Sequence, residues 1–399
     1  MKTLIADSFP QQYINDIASL GIDVVYKPKL KSEELAAHIN DASVLVVRST
    51  EVHQDCIEAA NTLSLIIRAG AGVNNIDMKA ANARGIYVAN CPGKNSIAVA
   101  ELTMALLCAL DRRVVENAVD LHAGKWNKAE YSKAEGLFGK TMGIIGVGQI
   151  GKEVIARARA FGLNIIAWSR SLTQEKAREL EVEHAASVEA LVPRCDIVSV
   201  HLALKPETRN IINREVIRSM KPGTIFLNTS RPEITDEGAL CDAVSSGQIR
   251  VGADVFMHEP EEKSGTFNNK LASLPNVYGT HHIGASTNQA QNAVAAEVVA
   301  IIDEYIHQGT VRHWVNRAVK TAAKWQLVVR HYDKPGVLAS VLDELKRSHI
   351  NVQEVENVIF DGAQTACCTF RLDAKPSDET VSVIRSRKDE VIQASLLAM

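Results

Sequence analysis

Apolar residues along the first three quarters of the chain fall into short runs separated by amphipathic stretches. Runs at 3–6, 24–26, 44–47, 63–67 and 86–88 alternate with helical periodicity, the pattern of a parallel sheet flanked by helices. Cys91-Pro92-Gly93 interrupts it, and a helix-like run follows from about Ser96 to Val119. Its centre is apolar all round, which predicts burial on more than one side, by domain packing or by a subunit interface. A second series opens at Gly139, with strands at 141–145, 164–168, 197–201, 224–228 and 251–255, then a long helical run over 286–307. That run is placed to carry the chain back to the first layer. The expected domains are therefore 1–94 with 287–318, and 95–286 between them.

From Trp325 the texture changes. A strand at 325–331 leads to Lys334-Pro335-Gly336, where Pro335 suits a first helical turn, and Leu338, Val341, Leu342 and Leu345 share one face of the helix beyond. Strands at 352–360 and 365–372, a helix at 378–387 and a strand at 391–397 complete a βαββαβ, ferredoxin-like unit over 324–399. The expected fold class is α/β: two doubly wound parallel-sheet domains of Rossmann or flavodoxin type, plus this smaller unit.

One segment adds chemistry to the pattern. Met142-Gly143-Ile144-Ile145-Gly146-Val147-Gly148-Gln149-Ile150-Gly151 reads as a buried strand, a G-x-G-x-x-G turn and a helix start. Gly146 allows the tight turn, Gly148 lets backbone approach a pyrophosphate, and Gly151 lets helix and strand pack closely. The free N–H groups around Gln149 and Ile150 then face the phosphates. An NAD-preferring site carries Asp or Glu about 20 residues further on, for the ribose 2′-hydroxyl. Here the strand at 164–168 ends in Ser169-Arg170-Ser171, and an arginine pairs well with a 2′-phosphate. The cofactor expected is NAD(H) or NADP(H), with Ser169 and Arg170 deciding between them.

Composition removes some alternatives. A net charge of −3 with no basic block gives no reason to expect nucleic acid or an anionic membrane as partner, and no apolar run has the length of a membrane span. The opening residues read as a strand rather than a targeting segment. Seven scattered cysteines suit reduced thiols and a cytoplasmic setting. No Cys/His spacing resembles a zinc site, so no metal is expected.

Reduction of a 2-keto acid needs a cation for the carboxylate, a proton donor for the alkoxide and a group that keeps the donor charged. Arg231, Glu259 and His282 each follow an apolar stretch, where ligands gather in α/β sheets, and they supply these three types. Nearly the whole chain resembles the D-isomer-specific 2-hydroxyacid dehydrogenase family, in particular the phosphoglycerate-oxidising members that carry a C-terminal ACT domain. The resemblance rests on Val46-Val47-Arg48-Ser49-Thr50, Arg68-Ala69-Gly70-Ala71-Gly72-Val73, Asn95-Ser96, the glycine motif, Met220-Lys221-Pro222-Gly223, Asn228-Thr229-Ser230-Arg231, Asp254-Val255-Phe256 with Glu259-Pro260, and His282-Ile283-Gly284. It implies that Arg231 binds the substrate carboxylate, Glu259 supports the histidine and His282 is the acid/base. It implies that Asp254 meets the nicotinamide carboxamide, and that Arg48 and Arg68, with Asn95, hold the anionic end of a phosphorylated hydroxy acid.

The chain departs from the family at several points. His281 stands where Pro is usual, so two adjacent histidines compete for the catalytic role. Pro232-Glu233 replaces a common Gly, and Ala203 a frequent Pro. The tail resembles an ACT domain, which implies an amino-acid effector near His331, Asp333 and Asn351, although Asp333 replaces a commoner Asn. The resemblance implies hydride exchange between the nicotinamide and 3-phospho-D-glycerate, by a homo-oligomer, dimer or tetramer. The rivals are a glyoxylate or hydroxypyruvate reductase of the same family, and a non-catalytic redox or amino-acid sensor.

Overall fold

The computed structural model describes residues 1–260, 265–318 and 321–399. They divide into two compact units, Met1–Asn316 and Arg317–Met399. The first unit holds two parallel sheets. One comprises β1 (Lys2–Ile5), β2 (Asp23–Tyr26), β3 (Val44–Val47), β4 (Leu65–Arg68) and β5 (Tyr87–Asn90), in the order β2-β1-β3-β4-β5. Its central strands are continuous apolar runs because both faces are covered. Leu45 and Val47 enter one core cluster, while Val44 and Val46 enter the other. The second cluster is closed by the helix Asn288–Gln308, which buries Val294, Ala295, Val298, Ile301 and Ile302 against this sheet. Each large aliphatic side chain so buried contributes about 1.5–3 kcal/mol.

The other sheet contains β6 (Thr141–Ile145), β7 (Asn164–Trp168), β8 (Glu183–His184), β9 (Ile197–Val200), β10 (Thr224–Asn228), β11 (Ile249–Ala253) and β12 (Val277–Gly279), ordered β12-β11-β10-β9-β6-β7-β8. The helix Ser96–Arg112 covers one face, placing Ala100, Met104, Leu107 and Leu110 among Met142, Ile144, Ile225 and Leu227. The helix expected to run to Val119 stops earlier. Arg113 adopts a left-handed backbone at φ 49, and a separate helix, Val114–His122, begins beyond it. The Arg113 guanidinium reaches Glu130 at 2.6 Å and lies over the Tyr131 ring, tertiary contacts that accompany the break and that helical periodicity does not report.

In the second unit β13 (Trp325–Tyr332), β14 (Val352–Ile359), β15 (Thr365–Leu372) and β16 (Val391–Ala398) form an antiparallel sheet ordered β14-β15-β13-β16. Two helices, Val337–Arg347 and Asp378–Ser386, complete the βαββαβ order. Leu327, Val329, Val341, Leu345, Phe370 and Ile384 fill its core. Among the described residues no helix is long and apolar enough to cross a membrane, and no group of three or more His, Cys, Asp or Glu could hold a metal ion.

Candidate active site and dinucleotide turn

The site is built at the C-terminal ends of the parallel strands, where open α/β sheets place ligands. β6 ends in the glycine turn. Gly146 has φ 103, and a Cβ there would stand 2.5 Å from the His201 carbonyl oxygen. A Cβ on Gly151 would run into the Gly146 carbonyl, whereas Gly148 faces open space with nothing within 4 Å. The helix Gln149–Ala160 starts at Gly148 with no side-chain cap, so its first N–H groups remain available. The side chain of Ile150, partly buried, packs against the core, and that of Gln149 lies against Gly93 of the opposite sheet's loop. Close approach at Gly148 together with uncapped N–H groups fits a pyrophosphate.

Glu259 and His282 meet: His282 Nδ1 lies 2.7 Å from Glu259 Oε2, while the Phe256 N–H donates to Glu259 Oε1 at 2.8 Å. Burial alone would raise the Glu259 carboxyl, but the His282 hydrogen bond and charge, the Phe256 N–H and the nearby Arg231 outweigh it, and the group is held below the ordinary carboxylate range. Of the two adjacent histidines, His282 makes the carboxylate bond. Its backbone is left-handed at φ 50, a conformation that costs a non-glycine residue about 1–2 kcal/mol. Asp254, buried just past β11, holds that loop on both sides. Its Oδ1 accepts from Thr280 Oγ1 (2.6 Å) and the Ile283 N–H (2.8 Å), and its Oδ2 from the Gly284 N–H (2.8 Å). The carboxylate expected to meet the nicotinamide thus also fixes the His282 backbone.

Three cations face one another across the two sheets. Arg68 ends β4, Arg48 follows β3 and Arg231 follows β10. A Cβ on Gly72 would stand 2.5 Å from Arg231 Nη2, so a side chain there would displace the guanidinium from its present position. Burial, then repulsion from Arg231 and Arg48, lowers the Arg68 pKa to about 10, and its Nε is buried without a hydrogen-bond partner. Asn95 Oδ1, at the start of the helix Ser96–Arg112, is also buried without a partner.

Sequence reasoning missed the supports. Asp7 accepts from the N–H groups of Arg48 (2.7 Å), Ser49 (3.0 Å) and Thr50 (3.0 Å), and so shapes the loop that presents Arg48. An acid directly after an apolar strand was the available signal. Lys94, beside Asn95, pairs with Glu297 at 2.7 Å. His201 lies buried beneath the glycine turn, held neutral with its pKa lowered to about 3 by burial. At the other end of the candidate set, Arg170 is exposed and pairs with Glu207 at 3.3 Å.

In the second unit, His331 and Asp333 line a cavity of about 460 Å³ with Lys334, Pro335, Gly336, Leu338 and Ala339. Asn351 does not join them. Its backbone N–H donates to Asp373 at 3.0 Å just before β14 begins, and Asn357, within β14, instead contacts His331 at 3.2 Å.

A family model described as D-isomer specific 2-hydroxyacid dehydrogenase, NAD binding domain, matches residues 104–284. A Thermotoga maritima protein named hydroxypyruvate reductase is 44% identical over 272 residues, which are 68% of this chain and 87% of the relative. This chain belongs to the D-isomer specific 2-hydroxyacid dehydrogenase family. Within the family it is also similar to a D-3-phosphoglycerate dehydrogenase of Methanocaldococcus jannaschii, 41% identical over 318 residues, 79% of this chain. The chain spans 59% of the length of that relative. Among solved structures it resembles NAD+-bound 3-phosphoglycerate dehydrogenase of Entamoeba histolytica, with a TM-score of 0.66 and 28% identity over 80% of this chain and 99% of that one.

Proposed function

We propose that this family member oxidises 3-phospho-D-glycerate to 3-phosphohydroxypyruvate, reversibly, with NAD(H) or NADP(H). The bound nicotinamide supplies a two-electron hydride acceptor. Arg231 holds the substrate carboxylate through paired charge-assisted hydrogen bonds. With Nδ1 committed to Glu259, His282 has Nε2 left to take the C2 hydroxyl proton as the C2–H bond breaks and its electron pair leaves with the hydrogen. The products are the ketone, the reduced cofactor and a protonated imidazole. Arg48 and Arg68 take the phosphate. The observation that carries the reading is the His282–Glu259 pair near Arg231, Arg48 and Arg68, which form no ion pair with an acid among the described residues.

The sheet β1–β5 with its return helix is the substrate-binding part, and the sheet β6–β12 the dinucleotide-binding part. The βαββαβ unit is an ACT module whose cavity takes an amino acid. Apolar side chains left exposed on one stretch, Val114, Val115, Val119, Leu121, Trp126 and Phe138, support a homo-oligomer.

The test is turnover of 3-phosphohydroxypyruvate, hydroxypyruvate and glyoxylate with both reduced cofactors. His282→Ala is expected to lower kcat by about 10²–10⁴-fold, while His281→Ala leaves most of it. A preference for hydroxypyruvate, unaffected by Arg48→Ala, would favour the reductase reading, which the 44% identity to the Thermotoga maritima protein supports. Absence of any turnover would leave the sensor reading. Millimolar serine, by changing neither rate nor melting temperature, would remove serine as effector.

A further inference from the structure

The glycine turn lies between two strands whose loops meet beyond it. On one side the Gly146 N–H donates to the Trp168 carbonyl of β7 at 2.8 Å, two residues before Arg170. On the other, Gly146 packs on the His201 carbonyl at the end of β9, six residues before Glu207. The Arg170–Glu207 ion pair therefore joins the two walls that flank the turn. Glu207 is the better fixed partner. Its turn is closed by Thr208, whose Oγ1 accepts the Lys205 N–H at 2.8 Å and donates to the Ala203 carbonyl at 2.7 Å, while the Thr208 and Arg209 N–H groups both donate to the Lys205 carbonyl at 3.0 Å. Arg170 is the longer, more exposed partner that reaches across.

Arg170 occupies the position that reads the ribose 2′ substituent in a dinucleotide fold. A 2′-phosphate is a strong ligand for a guanidinium, but here the guanidinium already has a carboxylate, and that carboxylate repels the phosphate. A free 2′-hydroxyl meets no such conflict. It is a donor, and Glu207 is an acceptor.

We infer that Glu207 is a specificity-determining residue for the cofactor: by holding Arg170 it sets the chain's choice between NAD(H) and NADP(H), resisting the 2′-phosphate. This rests on the dehydrogenase reading above. Selectivity here is a difference of two affinities, one of them reduced by a built-in repulsive element. Because the pair is exposed, the effect is modest and weakens with salt.

The experiment measures dissociation constants of NADH and NADPH for the full chain by titration calorimetry, at low and high salt. In Glu207→Gln the ratio of the NADH constant to the NADPH constant is expected to rise about three- to fivefold at low salt, and less at high salt. In an Arg170→Ala background the same substitution is expected to raise that ratio less, because no guanidinium remains to be released and only the carboxylate's own repulsion is removed. An unchanged ratio in Glu207→Gln, or an equal rise with and without Arg170, overturns the inference while leaving the dehydrogenase reading intact. Failure of the unaltered chain to bind either dinucleotide overturns that reading, and this inference with it.

Discussion

Around Glu297, Lys94, Arg312 and His313 converge on one buried carboxylate at 2.7, 3.5 and 2.9 Å. Arg48, Arg68 and Arg231 instead crowd one another, and no ion pair to an acid joins them among the described residues. Both groups lie in the first unit, and Lys94 of the first adjoins the substrate candidate Asn95. The difference separates scaffold from site. A cluster whose charges cancel within the protein has no reason to wait for a ligand. A half-buried cation set with repulsion inside it loses stability until an anion arrives, and retained destabilisation of this kind marks positions kept for binding.

Arg231→Ala tests the contrast most severely. It is expected to lower kcat/KM by about 10²–10³-fold, the range for removing one partner of a hydrogen-bonded charge pair. Thermal stability is expected to hold or rise, because Arg68 loses a repulsive neighbour. A large fall in melting temperature with unchanged kcat/KM would reverse the assignment of scaffold and site.

Glu297→Gln comes next, with the opposite signature. Burial alone would raise the Glu297 carboxyl, yet the Lys94 bond and charge and His313 hold it below the ordinary range. A carboxyl lowered by folding contributes stability that is full above its unfolded pKa and disappears as pH falls through its folded one. The substitution is expected to cost about 2 kcal/mol near neutral pH, less than a wholly buried pair because Lys94 and Arg312 are partly exposed. Denaturant melts should show the gap between the two proteins closing below about pH 4. A gap that persists undiminished in acid would mean that packing, not charge, holds Lys94.

The strands at 141–145, 164–168 and 224–228 were legible from apolar runs alone, because a strand buried on both faces leaves no other place for such residues. The glycine motif was legible for a similar reason: Gly146 and Gly151 each answer a steric demand that shows as an absence of side chain. The Asp7 carboxylate was not, since its partners are backbone N–H groups 41 to 43 residues away and carry no sequence signal. Adjacent histidines could not be told apart by residue type. What distinguishes His282 is a left-handed backbone enforced by Asp254, and such strain is a property of the folded loop. Arg113 broke a helix that periodicity extended, and the tertiary partner that meets it there, Glu130, lies 17 residues on.

Arg68 offers the smallest and most specific effect. Its guanidinium is costly to bury, its Nε has no partner, and two like charges press on it. Methionine keeps an unbranched apolar stem and removes all three costs, a replacement that is often neutral or stabilising in buried ionic settings. Arg68→Met is therefore expected to raise stability by about 1 kcal/mol in the absence of ligand, read as a higher denaturant midpoint with an unchanged slope. Saturating inorganic phosphate should protect the unaltered chain more than the variant, since a ligand stabilises only the form that binds it. Were Arg68→Met to lose stability with and without phosphate alike, Arg68 would belong with Glu297 as a structural charge, and the division between the two clusters would no longer describe the molecule.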